Sequence, residues 1–66
     1  MNLTINGEQK AFDNSLNITD LLTKLDIPLE HIAVEINRNI VPKIQFKETT
    51  LGDGDQIEIV RFVGGG

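Results

Sequence analysis

Few side chains in this 66-residue sequence could carry out chemistry of their own. The absence of cysteine excludes a thiol nucleophile, a thiolate metal site and a disulfide. The single histidine, His31, stands beside Glu30, but a structural metal site needs about four ligands. A surface histidine is therefore a better interpretation than a metal ligand, and we predict no catalytic residue and no metal site.

The three glycines at the end of the sequence, Gly64-Gly65-Gly66, offer a different kind of chemistry. Because glycine has no Cβ, such a segment can enter a channel that excludes larger side chains. The α-carboxylate of Gly66 could attack the α-phosphate of ATP in a partner enzyme, and the acyl-adenylate would accept a sulfur or nitrogen nucleophile. The alternative is a frayed terminus without a function. We predict a folded domain over residues 1–62 and a flexible tail over residues 63–66.

Charge and hydropathy narrow the classes of partner. Six basic residues stand against ten acidic ones, and the basic residues are scattered, so we expect no nucleic-acid binding. No apolar run approaches the roughly 20 residues that span a bilayer, and the N-terminus lacks the features of a signal peptide. We therefore expect a cytoplasmic protein that does not bind membranes. The net charge of −4 suits a basic patch on a partner protein, although it also serves plain solubility.

Hydrophobic periodicity predicts the elements that must position the tail. Alternating apolar residues predict five strands, at residues 2–6, 8–12, 32–37, 39–41 and 56–62. One helix is predicted from four apolar residues at helical spacing, which are Ile18, Leu21, Leu22 and Leu25. Asn17 and Asp20 suit its N-terminus, and Pro28 is expected to end it. The sequence therefore predicts an α+β domain in which one helix packs across one face of a mixed sheet.

The connections between these elements carry their own signals. Asn6-Gly7 predicts a type I′ hairpin turn, and Asn37-Arg38 predicts a second tight turn. Phe12 is expected to point toward the core. The irregular segment over residues 43–51 is expected to fill the core with three side chains, which are Ile44, Phe46 and Leu51.

The last strand has apolar residues on both of its faces. Ile57 and Ile59 share the face that is expected to meet the helix. A second apolar face near the chain end is either covered or displayed for a partner, and with one helix available we expect display. The predicted docking residues are Glu58, Val60, Phe62 and Val63.

Several blocks of sequence, spread over almost the whole chain, occur together in one known family. They are Asn6-Gly7-Glu8, Asp20-Leu21-Leu22, Ala33-Val34-Glu35-Ile36-Asn37, Ile40-Val41-Pro42-Lys43, Thr50-Leu51-Gly52-Asp53-Gly54-Asp55 and the ending Ile57-Glu58-Ile59-Val60-Arg61-Phe62-Val63-Gly64-Gly65-Gly66. With these blocks the sequence resembles the ThiS family, the ubiquitin-like sulfur carrier proteins of thiamine biosynthesis. The resemblance implies a β-grasp fold of about five strands, which the order of the predicted elements also favours.

The resemblance also implies a function. A ThiF-like adenylating enzyme of the ubiquitin-activating type would use ATP to activate the carboxylate of Gly66. Sulfur, supplied indirectly by a cysteine desulfurase, would convert it to a thiocarboxylate for a ThiG-like thiazole synthase. The chain itself would be a protein co-substrate without a bound cofactor, and not an enzyme.

Gly65 and Gly66 match the essential pair of the family, and Gly64 is a third glycine found in one branch. Lys43 and Phe46 depart from it, since arginine and tryptophan are frequent there.

Three alternatives remain open at this point. The small subunit of molybdopterin synthase uses the same fold and the same terminal thiocarboxylate for another cofactor. A pure interaction module would bind partners through its sheet without chemistry at the tail. A conjugated modifier would form an isopeptide bond between Gly66 and a lysine of another protein.

Overall fold

A five-stranded mixed sheet and one helix form the fold in the computed structural model, which describes residues 1–62. The elements are β1 (Asn2–Ile5), β2 (Glu8–Ala11), α1 (Ile18–Lys24), β3 (Ile32–Ile36), β4 (Asn39–Val41), a 3-10 turn (Lys43–Gln45) and β5 (Gln56–Arg61). The strand order across the sheet is β2-β1-β5-β3-β4. The predicted mixed sheet of five strands with one helix is therefore confirmed. The predicted tail over residues 63–66 lies outside the described residues.

The last strand of the chain, β5, lies at the centre of the sheet. On one side it pairs in parallel with β1, through Thr4↔Gln56 and Ile5↔Ile57. On the other side it pairs antiparallel with β3 from Ile57 to Arg61. Because β1 and β3 belong to different hairpins, β5 is the element that joins the two hairpins into one sheet.

Both hairpins close through two-residue turns in the left-handed region. Asn6 and Gly7 have φ angles of 49° and 84°, and Asn37 and Arg38 have φ angles of 49° and 72°. Positive φ at both central residues is what a type I′ turn requires, and its twist matches that of the flanking strands. The two predicted turns are confirmed.

The helix begins as predicted and ends earlier than predicted. The Asn17 side chain accepts a hydrogen bond from the Asp20 N–H at 2.7 Å, and the Asp20 carboxylate accepts one from the Asn17 N–H at 3.4 Å. This reciprocal pair is a capping box. The expectation that Pro28 ends the helix is wrong. The last helical residue is Lys24, since Asp26 adopts a φ of 57° and the Ile27 N–H donates to the Leu22 carbonyl at 2.9 Å.

The helix packs onto one face of the sheet and closes a single core. The buried residues are Leu3, Ile5, Leu16, Ile18, Leu21, Leu22, Ile32, Val34, Phe46, Leu51 and Ile57. Phe12 is half-buried and packs against this cluster, as expected. No helix in residues 1–62 is long and apolar enough to cross a membrane.

The segment after β4 contributes two of its three predicted core residues. Phe46 and Leu51 are buried, but Ile44 is 87% exposed, so its predicted core position is wrong. The reason is the 3-10 turn at Lys43–Gln45. With about three residues per turn, side chains two positions apart point in different directions, so burying Phe46 turns Ile44 toward solvent.

Because the apolar face of the helix is buried in the core, we expect truncation of a side chain on that face to lower the stability of the protein strongly. Leu22→Ala is expected to lower the free energy of unfolding by about 2–5 kcal/mol, because it leaves a cavity at a fully buried position. Chemical denaturation measures this loss. Thr23→Ala, at the exposed neighbouring position, is the control and should change the stability little. Equal losses in the two variants would contradict the packing described here.

Candidate functional site

The face of the sheet opposite the helix is open and carries exposed apolar side chains. Along β5 the side chains alternate, so that Ile57 is buried and Ile59 packs against the core. Val60 and Phe62, on the opposite face, are 50% and 51% exposed, and Glu58 beside them is also exposed. The predicted division of this strand into a core face and an exposed face is confirmed, and the docking role of the exposed face stays a prediction.

Strand register adds neighbours that the sequence pattern did not assign. Ala33 on β3 lies opposite Val60, while Glu35 lies opposite Glu58 on one side and Ile40 of β4 on the other. Ile40 is 73% exposed and therefore belongs to the same surface. The signal for it was the two-residue turn between β3 and β4, which fixes this register. We call the surface formed by Ala33, Glu35, Ile40, Glu58, Val60 and Phe62 the open face.

The open face combines apolar groups with negative charge. Glu35 and Glu58 are directly opposite each other on adjacent strands, an arrangement of like charges that disfavours the isolated sheet. Exposed apolar side chains beside them gain nothing from contact with water. A partner with an apolar centre would remove the apolar side chains from water, and basic side chains around that centre would offset the repulsion between the two glutamates.

The chain end follows directly from this face. The Phe62 N–H donates a hydrogen bond to the His31 carbonyl at 2.9 Å, so the pairing with β3 continues one residue past β5. Val63 and the three glycines Gly64, Gly65 and Gly66 lie outside the described residues. Their predicted roles in docking and in threading stay predictions. In the sequence, however, Val63 follows Phe62 directly, and Phe62 lies on the open face.

The opposite side of the sheet has an open groove at the end of the helix. Its volume is about 570 Å³, and it is lined by Leu22, Thr23, Asp26, Ile27, Pro28 and Arg61. His31 is exposed. No three His, Asp or Glu side chains within residues 1–62 come close enough together to hold a metal ion. Three of the five large exposed apolar side chains in residues 1–62 lie on the open face.

Comparison with solved structures identifies the fold. The crystal structure of the thiamine biosynthesis protein ThiS from Geobacter metallireducens is 42% identical in sequence and superposes with a TM-score of 0.88. The superposition covers all of both chains. The sheet and helix described above are therefore a β-grasp fold.

Comparison with sequences identifies the family. The model of the ThiS family matches residues 3–66. The sulfur carrier protein ThiS of Bacillus subtilis is 38% identical over 65 residues, which cover 97% of this chain and 98% of that protein. A thiazole synthase of Paramagnetospirillum magneticum is 44% identical over 66 residues, but the chain spans only 20% of its length. The chain belongs to the ThiS family, the sulfur carrier proteins of thiamine biosynthesis.

Proposed function

We propose that this protein carries sulfur as a thiocarboxylate on Gly66 and delivers it for thiazole formation in thiamine biosynthesis. The observation that carries the proposal is the placement of β5. It ends beside an exposed apolar face, and the three glycines follow in sequence. Since the chain has no cysteine, it cannot hold sulfur as a persulfide of its own, and the terminal carboxylate is the group that remains.

The chemistry needs no catalytic side chain from this protein. An oxygen of the Gly66 carboxylate attacks the α-phosphate of ATP in a ThiF-like adenylating enzyme, and pyrophosphate leaves. A persulfide sulfur, supplied indirectly by a cysteine desulfurase, then attacks the acyl carbon, and AMP leaves. A thiol reduces the resulting acyl disulfide by attacking its outer sulfur, which frees the thiocarboxylate. In this scheme the partner enzymes supply catalysis, and the carrier is their co-substrate.

The open face is the proposed docking surface for the adenylating enzyme and for a ThiG-like thiazole synthase. Its docking residues are Glu58, Val60 and Phe62, predicted from the sequence, together with Ile40. Val63, also predicted to dock, lies outside the described residues and stays a prediction. The match to part of a longer protein named thiazole synthase supports the second partner, because a carrier and the enzyme that it serves gain from close association. The apolar centre and the two glutamates suit a partner surface with a basic rim.

Deleting Gly66 tests the tail chemistry. We expect the deletion to abolish thiocarboxylate formation, because the acyl group would then lie one residue short of the partner's reactive centre. The thermal midpoint should not change, since the buried core lies entirely within residues 3–57. Mass spectrometry of the C-terminal peptide measures thiocarboxylate formation, and calorimetry measures the thermal midpoint. One residue added after Gly66 should have the same effect on sulfur transfer. Normal transfer in both variants would contradict the proposal.

Truncating Phe62 tests the docking surface. Phe62→Ala is expected to weaken binding to the adenylating enzyme by roughly tenfold or more, because it removes a large apolar side chain that docking would bury. Titration calorimetry measures the affinity. Ile44→Ala is the matched control, because Ile44 is exposed but lies on the 3-10 turn, outside the open face. If Phe62→Ala instead unfolded the protein and left the affinity per folded molecule unchanged, Phe62 would be a core residue.

A further inference from the structure

The side chain of Asn6 continues the sheet where the backbone of β1 leaves it. Backbone pairing between β1 and β5 ends with Ile5↔Ile57 and the hydrogen bond from the Asn6 N–H to the Ile57 carbonyl, at 2.9 Å. Beyond this point the Asn6 Oδ1 accepts from the Ile59 N–H at 2.8 Å, and the Asn6 Nδ2 donates to the Ile59 carbonyl at 3.2 Å. The carboxamide thus takes the place of the next peptide group of a parallel strand.

The side chain makes these bonds in place of the backbone, because the backbone turns away from β5 at Asn6. Its φ of 49° begins the hairpin turn into β2, so the following backbone cannot pair with β5. On the other side, β3 and His31 hold β5 by backbone pairing as far as Phe62. In the described part of the chain, the Asn6 carboxamide is what holds β5 beyond Ile57 on its β1 side. Its hydrogen bonds are to Ile59, three residues before Phe62.

Asn37 is the counterpart of Asn6 at the other end of the same strand. It also has a φ of 49° and also stands first in a hairpin turn. Its Oδ1 accepts from the Gln56 N–H at 3.0 Å, and its Nδ2 donates to the Asp55 carboxylate at 3.1 Å. The two asparagines have the same backbone conformation and similar hydrogen bonds. They differ in position. Asn37 bonds to the first residue of β5, Gln56, whereas Asn6 bonds to Ile59 in the C-terminal half of the strand.

We propose that Asn6 is a positioning residue for the sulfur carrier reaction, an inference that rests on the proposed function. Its carboxamide fixes the position of β5 at Ile59, and so the point after which Val63 and the glycines follow in the sequence. Glycines tolerate almost any backbone angle and cannot restore a starting position that is lost before them. A docked carrier whose β5 is displaced at Ile59 still binds its partner but presents its carboxylate to ATP less often.

The experiment compares Asn6→Gly with Asn37→Gly. Glycine accepts the positive φ at either position, so each variant removes a carboxamide without adding backbone strain. Carrier-dependent exchange of labelled pyrophosphate into ATP is measured with a ThiF-like adenylating enzyme at a series of carrier concentrations. For Asn6→Gly we expect kcat to fall about tenfold while KM for the carrier stays near its original value. For Asn37→Gly we expect both constants to stay within about twofold of the original protein.

Hydrogen exchange of the Ile59 amide provides a second readout that does not need the enzyme. It should be faster in Asn6→Gly and unchanged in Asn37→Gly. If Asn6→Gly does not fold, Asn6→Asp replaces it. That variant keeps the acceptor for the Ile59 N–H but removes the donor to the Ile59 carbonyl, and an intermediate kcat is expected.

The outcomes separate this inference from the proposed function. Unchanged kcat in the Asn6 variants, or an equal fall in Asn37→Gly, would overturn the positioning role alone, because the original protein would still be adenylated. A rise in KM without a fall in kcat would also overturn it, since that result indicates lost docking or lost folded protein. If the original protein supported no exchange of pyrophosphate into ATP, the proposed function and the inference would both fail.

Discussion

The pairing of the last strand between the two hairpins is the constraint on which the rest of the structure depends. β5 joins β1 and β3 by hydrogen bonds on both of its sides, and the helix then covers the core face of the resulting sheet. Because β5 is central, the glycines at the end of the sequence follow a well-anchored element. A carrier that must present its terminus to an enzyme needs such an anchor, since ordering a loose terminus during docking would cost conformational entropy.

Because the side chains of β5 alternate, one side of the strand contributes to the core and the other side contributes to the open face. Ile57 and Ile59 face the core, while Glu58 and Val60 face outward with Phe62 beyond them. The outward residues form an apolar and acidic surface that contributes little to the stability of the isolated domain, and the opposed Glu35 and Glu58 reduce it. A domain this small has little stability to lose, which makes that surface easier to explain by a partner than by folding.

Local signals predicted much of this fold, and long-range contacts account for what they did not predict. The two-residue turns at Asn6 and Asn37, the Asn17 cap and the alternation of β5 all follow from neighbouring residues. Ile40 joined the open face only through strand register, and the bonds of Asn6 to Ile59 connect residues 53 apart in sequence. Ile44 was misplaced because the 3-10 turn breaks strand alternation. The helix stops at Lys24, and the left-handed position that follows its cap is filled by Asp26, where glycine or asparagine is more common than aspartate.

Intact mass spectrometry tests the central claim most directly. The protein is taken from its native cells, or is incubated with ATP, its adenylating enzyme and a sulfur source. Oxidation of Met1 adds nearly the same mass as exchange of oxygen for sulfur, so the change must be mapped to the C-terminal peptide. The account predicts that sulfur replaces one oxygen on Gly66. A terminal carboxylate that stays unchanged under both conditions would contradict it and would favour an interaction module without tail chemistry.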